Sequence, residues 1–194
     1  MNKNRLVAFT DAIIAIAATI MVLDLHLPHP SNLRGLWADR TVFFAYTISY
    51  ILIYTVWSSH HDLFEKAQFI SIRTFLLNGL WLFFLTLVPF ATNWVGTDPD
   101  TTWAEVFYCL ILLLWSIAFH LMDHQIVRDN PTVPHDNSTR PLDRSIIYLT
   151  YLSGIGIGIA FFSPVLSLII VGFLSVLMTL RMFSTGYHHS EDSH

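Results

Sequence analysis

Apolar residues in this chain fall in six long runs rather than in alternating or one-sided patterns, at about 6–27, 41–59, 74–93, 103–122, 145–162 and 164–183. The first stops at Pro28 and Pro30, the second at His60-His61-Asp62, and the third lies between Arg73 and Gly96-Thr97-Asp98-Pro99. Residues 123–144 form a polar, proline-containing stretch that reads as the one long loop. Residues 184–194 read as a polar cytoplasmic tail with frayed ends. A helix needs roughly 20 apolar residues to cross the hydrocarbon core. Backbone in lipid must satisfy its own hydrogen bonds, and without strand-type alternation only helices can do so. The pattern predicts an all-α membrane protein, one domain over 1–194, with six transmembrane helices.

Composition agrees: 54% of the 194 residues are hydrophobic and 12% charged, with mean hydropathy +0.54. A soluble domain carries about 25% charge. The net charge of −4 gives a nucleic-acid partner no support. A single cysteine, Cys109, excludes a disulfide framework. The first run follows Lys3 and Arg5 but contains Asp11 and Asp24 and has no small-residue cleavage site before Pro28, so it reads as a retained helix. With a cytoplasmic N-terminus, Lys3, Arg5, Lys66, Arg73, Arg128, Arg140, Arg144 and Arg181 all lie inside, leaving only Arg34 and Arg40 outside. That bias predicts both termini cytoplasmic. Trp37, Trp94 and Trp103 then fall near the outer interface as anchors. Gly154, Gly156 and Gly158 lack a surrounding βαβ unit and read as points of close helix approach.

The first run holds the chemistry. A carboxylate within a membrane segment costs at least a few kcal/mol unless it faces protein or water, so Asp11 is expected to point into the bundle. At about 100° per residue, Ile16, Thr19, Ile20 and Leu23 share one stripe, with Asp11 about 140° from Ile16. Copies of this stripe around an axis would make apolar rings at Ile16 and Leu23 and a hydroxyl ring at Thr19. Apolar constrictions gate by dewetting, and hydroxyl oxygens replace part of an ion's water shell. The same pattern also fits an ordinary packed helix whose threonine bonds to its own backbone.

Arg5-x-x-x-Phe9-Thr10-Asp11 resembles the Arg-x-x-x-Phe-Ser-Asp signature of the transmembrane protein 175 family, the endosomal/lysosomal potassium channels and their prokaryotic relatives. The continuation Ile16-Ala-Ala-Thr19-Ile-Met-Val-Leu23 is similar too, as are Trp57-Ser-Ser-His60-His61-Asp-Leu-Phe64, Asn78 and Leu87-Val-Pro89-Phe90. Thr10 stands where serine is commoner, and Ala12 where many bacterial members have glycine. The resemblance implies a homotetramer of six-helix subunits in the bilayer, with helix 1 lining a central pore for monovalent cations, potassium preferred, and no cofactor beyond the permeant ion. It implies a prokaryotic single-repeat member, in the plasma membrane. Ile16 becomes the apolar constriction, Thr19 the hydroxyl layer, and Ile20 and Leu23 outer apolar layers. Arg5, Phe9, Thr10 and Asp11, with Trp57, His60, His61 and Asn78, become a structural polar network. Asp24, at the stripe's edge near the outer mouth, can concentrate cations.

Adjacent His60 and His61 must face different ways, which disfavours a metal pair. His120 and His124 have i,i+4 spacing, which suits either a solvated helix end or a metal or pH-sensing pair. His188, His189 and His194 fall in the tail and are expected to be disordered. A secondary, possibly proton-coupled, transporter would place ionisable groups at midplane in broken helices, whereas here they sit near segment ends. A membrane enzyme using Asp11, His60, His61 and Asp62 has no recognisable catalytic arrangement behind it.

Overall fold

The computed structural model describes residues 2–132 and 141–191, without the side chains of 141–145, 174, 178 and 181–191. The expectations for Arg140, Arg144, Arg181, His188, His189 and His194 therefore lie outside the described residues.

Among the described residues seven helices follow in order: α1 (Lys3–Leu23), α2 (Leu33–Ala38), α3 (Arg40–Lys66), α4 (Ile72–Thr97), α5 (Thr102–Asp129), α6 (Pro141–Ala160) and α7 (Pro164–Glu191). Four of them, α1, α3, α4 and α5, are long and apolar enough to cross a membrane. Shorter apolar stretches lie in α6 and α7, at Ile146–Ala160 and Pro164–Leu177.

Several helices outrun their apolar cores. Residues His60 to Lys66 continue α3, because Leu63 and Phe64 keep its buried face going after the hydropathy drops. Helix α5 runs to Asp129 and so takes in the start of the expected loop. Helix α7 reaches Glu191, so residues 184–191 are helical rather than a frayed tail. Helix α1 ends earlier than expected, at Leu23. The six-residue α2, capped by the Asn32 side chain, is too short to show a period in sequence.

Helix α4 is central and packs against α1, α3 and α5; α6 packs on α5, and α7 closes against α3 and α6. The core is aromatic. His60 is stacked between Phe64 and Trp81 at 4.4 and 4.7 Å, and Trp81 stacks on Trp115 at 5.8 Å. Of the three spaced glycines, only Gly156 marks a close approach. A Cβ there would lie 2.8 Å from the Cys109 Sγ and 3.1 Å from the Ser167 Oγ, while Gly154 and Gly158 meet nothing within 4 Å. Gly156→Val is expected to lower unfolding free energy by about 1–3 kcal/mol, readable by chemical unfolding in micelles; an unchanged midpoint would mean α6 can shift freely.

The end of the bundle that holds the start of α1 is tied by side chains. Lys3 Nζ donates to the Ala67 and Glu65 carbonyls at 2.8 and 3.3 Å, at the C-terminal end of α3 where a cation is favoured. Asn130 Oδ1 accepts from the Gln68 and Phe69 amides, and its Nδ2 donates to the Phe69 and Ile126 carbonyls. This clamps the α3–α4 connection onto α5.

Candidate pore helix and its polar anchor

Helix α1 packs chiefly against α4 and α3 and is the least buried of the four spans, 28% of its apolar window against 56% for α5. Its buried residues are Leu6, Thr10, Ile14, Ala17 and Met21, one face at helical spacing. Ile16, Thr19, Ile20 and Leu23 lie on another and are exposed on the subunit, Ile16 by 57% and Leu23 by 80%. The Thr19 hydroxyl donates to the Ile16 carbonyl at 2.9 Å. Its proton is thus committed to the helix, and its lone pairs remain free to face a cation.

The buried face carries a polar chain. Asn78 Nδ2 donates to the Thr10 Oγ1 at 2.9 Å, and Asn78 Oδ1 lies 2.9 Å from the His60 Nε2. All three residues are buried, and His60 Nδ1 has no hydrogen-bond partner among the described residues. The acceptor role of Asn78 Oδ1 assigns the proton to His60 Nε2. On the α3 side, Trp57 Nε1 donates to the Asp11 Oδ1 at 2.9 Å. Two hydrogen-bonded links, one to α4 and one to α3, therefore hold the N-terminal half of α1 in rotation as well as position.

Arg5, Phe9 and His61 stand outside these links. Arg5 and Phe9 are exposed because, at about 100° per residue, they fall on the same helical face as Ile16 and Leu23. They prolong the outward stripe rather than join the buried network. His61 is exposed and lies beside Trp57, ring centroids 6.0 Å apart. Asp24 caps the C-terminal end of α1 and is half-buried.

His120 and His124 part company. His120 Nε2 lies 3.2 Å from the Thr150 Oγ1, which donates in turn to Ser116, whereas His124 is exposed. Among the described residues, no three metal-ligating side chains come together.

Among the buried polar groups that sequence reasoning passed over is a carboxylate. Glu105, in the first turn of α5, is fully buried. Its Oε1 accepts from the Cys109 Sγ at 3.4 Å, and its Oε2 has no partner among the described residues. Cys109 lies 3.6 Å from the Ser167 Oγ, which donates to the Gly156 carbonyl. One turn on, Tyr108 pairs with Ser49, which accepts from Thr92 at 2.7 Å. An isolated acid near a helix start looks interfacial in sequence, and only the packing of α6 and α7 over it makes it internal.

The family model for the "Endosomal/lysosomal potassium channel TMEM175" matches residues 5–89, which hold the stripe and both anchoring links. A potassium channel of Chryseobacterium sp. (strain P1-3) is 35% identical over 128 residues, covering 66% of this chain and 67% of that one. The chain belongs to the TMEM175 family. A second relative, a potassium channel of Chamaesiphon minutus, is 30% identical over 141 residues, 66% of this chain and 68% of its own. The chain thus spans about two thirds of these bacterial relatives. A mouse relative named endosomal/lysosomal proton channel TMEM175 is 22% identical over 94% of this chain but only 38% of its own length. The crystal structure of a lysosomal potassium-selective channel TMEM175 homolog from Chamaesiphon minutus matches with a TM-score of 0.79 at 24% identity, covering 92% of this chain and 97% of that one, so the fold is shared. The TMEM175 relatives are ion channels, not enzymes. With four membrane-length helices, the chain is an integral membrane protein.

Proposed function

We propose that the chain is one subunit of a potassium-preferring cation channel, a homotetramer of six-span subunits in which α1 of each copy lines a central, passive pore. The observation that carries this reading is the pairing of two faces on one helix. The buried face of α1 is pinned by Thr10 and Asp11, and the outward face offers Ile16, Thr19, Ile20 and Leu23 to a neighbour or an axis. A helix held this firmly in rotation while leaving isoleucine and leucine uncovered suits a role in an assembly. Four copies of Ile16 would form an apolar constriction, and four Thr19 oxygens a partial replacement for an ion's hydration shell. The count of six spans adds α6 and α7 to the four longer helices. Charge bias supports cytoplasmic termini, and the bacterial relatives support a prokaryotic plasma membrane. Potassium rather than the proton is favoured by the relatives that this chain covers most fully, which are named potassium channels.

The test is ion flux from liposomes holding the purified protein, driven by a potassium gradient alone. Flux without counter-transport or a proton gradient supports a channel; stoichiometric exchange with protons would replace it with a carrier. Thr19→Ala is expected to lower the potassium-to-sodium permeability ratio by about threefold, ~0.7 kcal/mol, with potassium flux retained. An unchanged ratio from reversal potentials would remove Thr19 from the ion path.

A further inference from the structure

The turn from α3 into α4 runs Ala67-Gln68-Phe69-Ile70-Ser71 and contains no glycine, proline, asparagine or aspartate. Those residues set a turn's shape locally, by the φ they permit or by a side chain that bonds nearby backbone. The one serine, Ser71, is occupied at the start of α4, where its hydroxyl accepts from the Thr74 amide. The backbone of this turn is bonded instead from the end of α5. The Gln68 and Phe69 amides donate to Asn130 Oδ1 at 2.9 and 2.8 Å, and the Phe69 carbonyl accepts from Asn130 Nδ2 at 3.0 Å. The Ser71 amide and the Thr74 hydroxyl donate to Asp129 Oδ2. With a fourth bond, from Nδ2 to the Ile126 carbonyl, the buried Asn130 amide uses both donors and both lone pairs. Losing that side chain orphans two amides and a carbonyl of the turn at once.

The same turn receives the start of α1. Lys3 Nζ donates to the Ala67 carbonyl at 2.8 Å. The Ala67 carbonyl and the Gln68 amide belong to one peptide group, and a peptide group is planar and rigid. Lys3 therefore holds one edge of that plane while Asn130 holds the opposite edge. Rotating the plane to release either partner turns the other bond out of line, and a hydrogen bond weakens steeply as it bends. Each bond also polarises the peptide group in favour of the other. We infer that Asn130 is a positioning residue for the start of α1, acting through the Ala67–Gln68 peptide group. The α5 end thus fixes where α1 begins, and Arg5 and Phe9, in the first turns of α1, are placed by a residue 125 and 121 positions further along the chain. Its bearing on conduction rests on α1 lining the pore; the positioning itself does not.

Amide hydrogen exchange of the full chain in phosphatidylcholine nanodiscs tests the link. Residues 6–10 of α1 report on its start, and residues 48–56 in the middle of α3 serve as the internal reference. Asn130→Ala is expected to speed exchange over 6–10 by about tenfold while 48–56 stays constant. Lys3→Met keeps the stem and removes the donor, so it is expected to act alike, and the double variant is expected to exceed neither single change. Asn130→Asp keeps an acceptor for the turn amides but sets an oxygen against the Phe69 and Ile126 carbonyls, so this milder variant is expected to move 6–10 in the same direction. No change over 6–10 in either Asn130 variant overturns the inference, as does a double variant in which the two effects multiply. So does a rise spread equally over 6–10 and 48–56, which is what a loss of overall stability gives. Potassium flux through the same variants separates the two readings: altered exchange with unaltered flux upholds the positioning and counts against α1 as the pore helix.

Discussion

Replacing Ile16 with asparagine is expected to raise gradient-driven potassium flux by about tenfold, equivalent to ~1.4 kcal/mol off the barrier to permeation. Ile16 is exposed on the subunit and sits mid-stripe, so four copies around an axis would form the driest point of the path. Water leaves a narrow apolar ring because it cannot keep its hydrogen bonds there, and an ion cannot follow without it. An asparagine amide restores donors and acceptors at that level. The substitution removes no buried contact, so stability should change by no more than about 0.5 kcal/mol. The informative result is thus a change in flux at constant melting temperature. A constant flux would place Ile16 against lipid and move the conducting path to another helix.

The second large effect is expected at Asn78. It bonds to Thr10 on one side and His60 on the other, both at 2.9 Å, and all three are buried. Asn78→Ala removes both bonds and takes from His60 the one hydrogen bond described for its ring, inside an aromatic slot between Phe64 and Trp81. Each orphaned buried group costs about 1–3 kcal/mol in soluble proteins, and single interhelical bonds in membranes average somewhat less than 1. A loss of about 2 kcal/mol is therefore expected, measured by unfolding in mixed micelles. The double variant with Thr10→Val should lose less than the sum of the two single changes, because both remove the same bond. Full additivity would show that Thr10 and Asn78 act separately and that α1 is held by apolar packing alone.

The helical fold was legible because hydrophobic runs of spanning length have few physical solutions. The resemblance likewise brought Thr10, Asp11, Trp57, His60 and Asn78 forward as a group. What it could not decide was which members touch. Arg5 and Phe9 belong to the same signature as Thr10, yet helical phase turns them outward with Ile16. Helix ends were misplaced where hydropathy falls but one face stays buried, as from His60 to Lys66, because a helix end needs only a narrow apolar seam to continue. Glu105 and Asn130 were illegible for a different reason. The burial of each depends on segments far along the chain, Ser167 and Gly156 for the first and Phe69 for the second. Around Asn130 the one local clue is the Asp129-Asn130 pair at the end of the helical pattern, a combination that often closes a helix by side-chain hydrogen bonding.

Among the described residues, α1 is tethered to α3, α4 and the turn that joins them through Trp57, Asn78 and the carbonyls that receive Lys3. From α5, Trp115 and Phe119 back this frame by packing behind Trp81. A gene built on this plan is free to rewrite its downstream half, provided that half still delivers bulky rings to the back of α4 and a clamp to the α3–α4 turn. Kinship should then fade toward the C-terminus faster than function does, and a family match that stops at residue 89 is what such drift would leave behind.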